Sequence, residues 1–175
     1  RRTPFATVAG HVQYLGDSGS RALQVAEGRQ MAVTVSGQTV FETIRDGNGK
    51  FATAAAAGNT GTGVISTGAV TDLTALTGDT YQISFSVVAG VTSYDVVDTT
   101  TGTMLSSGNP YTPGDSILFD GVQFEISGAP ASGDTFSVAP STNQSLFRTL
   151  EDFIAALETP LVGAAGQARF RNQLN

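Results

Sequence analysis

The sequence contains no cysteine and no tryptophan, a single lysine (Lys50) and a single histidine (His11). Without cysteine there are no disulfides and no thiolate metal sites, and a lone imidazole offers no zinc centre. His11 is most simply a surface or half-buried strand residue. One lysine in a chain of net charge −6 argues against a nucleic-acid surface, because such affinity rests on basic side chains that neutralise phosphates. No apolar run approaches the roughly 18 residues of a membrane-spanning helix, so no membrane insertion is expected. The opening residues "RRTPFATVAGHVQ" also lack the apolar stretch of a signal peptide. The chain opens on Arg1, and the expectation is a piece or processed form of a longer protein.

What is present points to many short strands. Hydrophobic residues make up 40% of the 175, charged residues only 14%, and there are 21 glycines, a profile of strands and turns more than of long charged helices. In "TYQISFSV" Tyr81, Ile83, Phe85 and Val87 alternate with Gln82, Ser84 and Ser86, the period of a sheet with one buried and one wet face. "GVQFEIS" repeats the pattern with Val122, Phe124 and Ile126, and "ALQV", "MAVTV", "SYDVV" and "TFSV" are further strand candidates. "ATAAAAGNTGTG" has no periodicity and reads as loop.

Charge divides the chain. From Asp46 to Thr142 one lysine faces nine carboxylates, a net of −8, whereas the flanks hold eight arginines against six acids, a net of +2. With turn clusters "RDGNGK" and "APSTN" at the boundaries, the expected architecture is mainly β within the α+β class. The charge shift suggests an acidic, β-rich domain inserted into a mildly basic one that carries β-hairpins and a C-terminal helix.

Sites of chemistry are few. Gly16-Asp17-Ser18-Gly19 spells the surroundings of a protease nucleophile, but the only base, His11, lies seven residues before Ser18 on the same stretch, and only 17 residues precede that serine. The same Gly-Asp-Ser/Thr unit recurs at Gly78-Asp79, Gly114-Asp115 and Gly133-Asp134, each time ahead of a strand-like run. Glycine reaches backbone conformations that other residues resist, and Asp or Ser/Thr can bond nearby amides, so all four read as structural turns. "DGNGK" fails as a calcium loop because Lys50, Phe51 and Ala57 stand where a ligand, a glycine and a glutamate belong. Asp95 and Asp98 could chelate a metal with a third ligand, yet acidic residues on such a domain are usually just solvated. No catalytic residue, cofactor site or metal site is assigned, and no enzymatic activity is expected.

The C-terminal stretch differs in kind. In "STNQSLFRTLEDFIAALETP" Leu146, Leu150, Phe153 and Leu157 recur at spacings of four, three and four, a helical seam that Phe147 and Ile154 widen. Ser141, Thr142 or Asn143 offers the N-cap, and Pro160 marks the end or a restart. The seam either packs on its own domain or serves a bundle or subunit interface. "GQARFRNQLN" begins a further helix.

"FEISGAPASGDTFSVAP" followed by "LFRTLEDFIAALETP" resembles the junction between β-domain and C-terminal helical region in the flagellar hook-associated proteins, relatives of flagellin. "YLGDSGSRALQVAEGRQMAVTVSGQTVF" resembles the stretch after the N-terminal helices in the distal, hook–filament junction type of that family. The resemblance covers roughly 45 residues at one end and 50 at the other. It implies a structural protein of the bacterial flagellum that leaves the cell through the flagellar export apparatus, with an export chaperone for the full chain. It further implies a β-rich outer domain (46–141) inserted into a mixed inner domain (1–45 and 142–175), and self-association in a ring between the proximal hook-associated protein and flagellin. "SGAPASGDTF" is shared with the proximal type, which stands as the alternative within the family. A β-rich carbohydrate-binding or adhesin module is the alternative outside it, although no tryptophan and only four tyrosines are present to stack on a sugar.

Overall fold

The computed structural model describes residues 3–174; Arg1, Arg2 and Asn175, which fall within the expected inner domain, lie outside the described residues. The chain divides into two compact units, one from residues up to Arg45 with Asn143–Asp152, the other from Asp46–Thr142 with residues 153 onward. Strands predominate and helices are few, a mainly-β member of the α+β class.

The first unit opens with a hairpin of β1 (Phe5–Val8) and β2 (His11–Tyr14), Phe5 facing Tyr14 in register. A second hairpin, β3 (Ala22–Ala26) and β4 (Arg29–Ala32), is exposed along its whole length. After it come the short helix α1 (Gly37–Phe41), capped by the Ser36 hydroxyl on the Thr39 amide, and β5 (Ile44–Arg45). Its apolar centre is aromatic: the Phe5 ring lies 5.2 Å from Tyr14, 5.6 Å from Phe41 and 5.1 Å from Phe147. These tilted and edge-on pairings suit ring quadrupoles.

The second unit adds β6 (Phe51–Ala55), β7 (Val64–Ile65), β8 (Ala69–Val70), β9 (Tyr81–Val88), β10 (Val91–Asp98), β11 (Thr103–Pro110), β12 (Ser116–Phe119), β13 (Val122–Ser127) and β14 (Thr135–Pro140). One antiparallel sheet runs β11-β10-β9-β14-β6; the other runs β12-β13-β7, with β8 also on β13. The alternation read in the sequence sets the buried faces. Tyr81, Ile83 and Phe85 of β9 and Phe136 and Val138 of β14 share one core with Ile117, Val122, Phe124, Ile126 and Ile65 of the other sheet. Phe136 sits opposite Ile83 in register and edge-on to Phe85 at 5.7 Å.

Residues 52–55, read as the start of a loop, belong to β6 instead. Alanines carry no two-fold pattern, and what makes this a strand is its ladder with β14, from Phe51 opposite Pro140 to Ala55 opposite Phe136. At the far edge β11 is irregular: register shifts interrupt its pairing with β10, Gly108 takes φ +64°, and the Asp95 carboxylate accepts the Gly108 amide at 2.7 Å.

The chain ends with β15 (Asn143–Gln144), which pairs with β5, then α2 (Leu146–Glu158) and α3 (Gly163–Gln173). None of the three expected N-cap residues caps α2. Ser141 and Thr142 bond to Asp46, Asn143 lies in β15, and it is the Ser145 hydroxyl that accepts the Phe147 amide at 3.2 Å. Within the second unit α3 covers β7: the Asn172 side chain accepts the Ile65 amide at 3.0 Å and donates to the Gly63 carbonyl at 2.9 Å.

Phe136→Ala removes a wholly buried ring at the centre of the shared core, and the expected loss is about 3–5 kcal/mol. Urea unfolding of the two chains measures it.

Candidate functional site

The four Gly-Asp turns are not alike. Gly78, Gly114 and Gly133 take φ of +81°, +84° and +88° and lead within three residues into β9, β12 and β14. Gly16 lacks that conformation and lies against the Tyr14 ring, with no room for a Cβ. Asp17 accepts the Gly19 amide at 2.6 Å. Asp79 and Asp115 meet the chain through their amides, on the Thr77 hydroxyl and the Thr112 carbonyl.

Asp134 does more than shape a turn. Only 2% exposed, its carboxylate accepts the Thr60 amide at 2.8 Å, the Gly61 amide at 3.0 Å and the Ala131 amide at 2.9 Å. A Cβ on Gly61 would meet that carboxylate and the Ala129 and Ala131 backbone, which explains glycine at this point of "GNTGTG". The sequence shows Asp134 as one of four equivalent turns; its role in gathering a distant loop depends on long-range pairing.

Other candidate acids are likewise occupied by their own chain. The Asp98 carboxylate accepts the Thr100 and Thr101 amides and the Thr101 hydroxyl, and the Thr101 hydroxyl bond leads the effects that hold it below the usual carboxylate range. Among the described residues no three metal-ligating side chains come together. The Asn48 side chain of "DGNGK" closes a turn by accepting the Lys50 and Phe51 amides. His11 Nδ1 lies 2.7 Å from Glu151 Oε2 on α2, and Ser18 makes no bond to it among the described residues.

Asp46 meets Thr142 across the chain. The carboxylate accepts the Thr142 amide at 2.6 Å and its hydroxyl at 2.8 Å, while the Asp46 amide donates to the Thr142 carbonyl at 3.1 Å. Burial pushes this carboxyl upward, but the Thr142 hydrogen bonds outweigh it and hold it below its ordinary 3.8.

The helical seam is built but uncovered. On α2 Leu146 is half-buried, whereas Leu150 (50% exposed), Phe153 (46%) and Leu157 (59%) face outward with Ile154. Phe147, expected to widen this face, turns into the aromatic cluster of the first unit. Three of the four tyrosines are consumed by the second unit's core: Tyr81 is buried, Tyr94 packs on it, and Tyr111 donates to the Ile126 and Gly128 carbonyls. The trough of about 380 Å³ on the outer face of the β9–β14–β6 sheet is bounded by Thr80, Gln82, Thr99, Ser137 and alanines. It offers neither a charged group nor a free ring to a sugar.

Comparison with known proteins gives a consistent picture. Residues 54–140 match the family model of the flagellar hook-associated protein 1 D2-like domain. The flagellar junction protein FlgL from Legionella pneumophila, a crystal structure, is 32% identical with a TM-score of 0.88 over 97% of this chain. FlgL from Xanthomonas campestris is 33% identical with a TM-score of 0.88 over 99%. The chain spans about 55% of the length of either. No curated protein matches the chain.

Two outcomes check this description. Asp134→Ala, which strands three backbone amides, is expected to cost about 2–4 kcal/mol in urea unfolding, against less than about 1 kcal/mol for the exposed Asp17→Ala. The stabilisation from Asp46, whose pKa is lowered on folding, is full above 3.8 and is lost as pH falls through the folded value beneath it. Thermal melts from about pH 6 to pH 2 should show a smaller acid-side loss for Asp46→Asn than for the native chain.

Proposed function

The chain belongs to the flagellar hook-associated protein family, and from that premise we propose that it is a structural subunit of the bacterial flagellum, of the hook–filament junction type. In this reading copies associate into a ring that joins the proximal hook-associated protein on the hook side to flagellin on the filament side. The subunit is exported by the flagellar apparatus with a chaperone, and its location is the external appendage. It performs no catalysis; its work is adhesion between unlike polymers.

One observation carries the choice within the family. The likeness to solved FlgL structures runs through both units at 31–33% identity over 97–99% of the chain. The match to the hook-associated protein 1 model is confined to residues 54–140, and that observation favours the proximal type as the second reading. The proposed division of labour is the one the family resemblance implies, with the charge partition at the same boundaries: residues 46–141 form the outer β-rich domain, and residues 1–45 and 142–175 the inner one that meets neighbouring helices. The exposed Leu150, Phe153 and Leu157 supply an apolar stripe for that contact, since each such side chain gains about 1.5–3 kcal/mol on full burial.

Antibody labelling of intact flagella tests the position. A band between hook-side protein and flagellin is expected, and a band directly against the hook would transfer the assignment to the proximal type. For the seam, Phe153→Asp in the full-length protein is expected to abolish incorporation into flagella while the circular dichroism melt of the 175-residue chain stays within a few degrees of native. Unchanged incorporation would remove the seam from the assembly.

A further inference from the structure

Along α3 the one wholly buried side chain is the small Ala168, with Phe170 buried in part. Apolar burial has no direction of its own, so a methyl group and part of a ring do not fix where a helix sits. Directional bonds are made at two other points. Asn172 meets β7, the last strand in the order β12-β13-β7. Its carboxamide accepts the Ile65 amide and donates to the Gly63 carbonyl, one on either side of Val64. A residue of a parallel strand bonds its partner in the same way, to the amide after and the carbonyl before the residue it faces. The side chain stands where one more strand would pair.

Arg169, three residues earlier and on the same helix face, donates from Nε to the Asn59 carbonyl at 3.2 Å. Asn59 is only 7% exposed, and its own carboxamide accepts the amide of Thr135, the first residue of β14, and donates to the Thr135 carbonyl, both at 2.9 Å. Directly opposed residues of an antiparallel ladder exchange that pair of bonds. β14 belongs to the five-stranded sheet and β7 to the other. Through Asn172 and Arg169, α3 thus reaches a strand of one sheet directly and a strand of the other by way of Asn59. The loop 56–63 runs between these points, its Thr60 and Gly61 amides bonded by Asp134, the residue before β14.

We infer that α3 is a latch across this end of the β-rich unit, with Asn172 and Arg169 as the positioning residues that tie both sheets to one helix. Two side-chain carboxamides replace strand residues here, so the loop 56–63, β7 and α3 hold one another in place. They open as one local unit, while the core beneath them, centred on Ile83, Phe124 and Phe136, stays closed. The latch is independent of the assembly reading proposed above.

Hydrogen exchange in the full-length protein, read by mass spectrometry, tests it. Asn172→Ala is expected to speed exchange about tenfold in both 59–65 and 163–173, with β9 and β13 exchanging as in the native protein. Arg169→Ala is expected to speed the same two segments by about threefold. Asn172→Asp separates bonding from packing, because it keeps the shape of the side chain. At about pH 7 its carboxylate has no donor for the Gly63 carbonyl and protection falls. At about pH 3, below the ordinary aspartate value, the protonated carboxyl again offers one donor and one acceptor, and protection returns to within about threefold of the native protein at the same pH. Faster exchange in α3 alone, in neither segment or throughout β9 and β13 overturns the latch, as does an Asn172→Asp protein equally loose at both pH values. An Arg169→Ala protein that exchanges like the native one overturns the tie to β14.

Discussion

Asp46 and Thr142 stand 96 residues apart and are hydrogen-bonded through both side chain and backbone, and the β-rich unit depends on that meeting. Bringing together the ends of so long a segment costs about 4 kcal/mol in chain entropy beyond a constant. The charged acceptor repays part of this at the closing point. Within the unit the pairing runs on from there to β6 with β14. Once β14 is placed beside β6 its other edge is set for β9, and Phe136 faces Ile83. The core is thus organised outward from the point where the chain enters and leaves the unit.

The sequence made some of this visible and concealed the rest for physical reasons. Strands β9 and β13 were legible because Ile83, Phe85, Phe124 and Ile126 each needed a dry face and their neighbours a wet one. β6 was not, because Ala52, Ala54 and Ala55 have no preference strong enough to declare a face; a partner strand 80 or more residues away decides it. The helix over Leu146–Glu158 was legible from spacing, its cap was not, since Ser141 and Thr142 are held by Asp46. Periodicity gave the stripe of Leu150, Phe153 and Leu157 without saying whether anything covers it.

The Gly-Asp turns show the same distinction. Four identical dipeptides look like one device, yet Asp17 serves two residues of local turn, whereas Asp134 ties Thr60 and Gly61 to a loop more than 70 residues later. Composition and spacing identify such a turn; burial decides how much depends on it. That difference separates an interchangeable surface residue from one whose loss loosens the unit.

The irregular edge at β11 bears on crowding. Subunits held side by side in a polymer meet at effective concentrations far above those of free solution, and a straight open strand under those conditions would recruit its neighbour's edge into one continuous sheet. The kink at Gly108, the Asp95 carboxylate that claims its amide, and Pro110 at the end of the strand break the row of free donors such fusion would need. A unit built this way presents an edge that does not invite a further strand, however close a neighbour is brought.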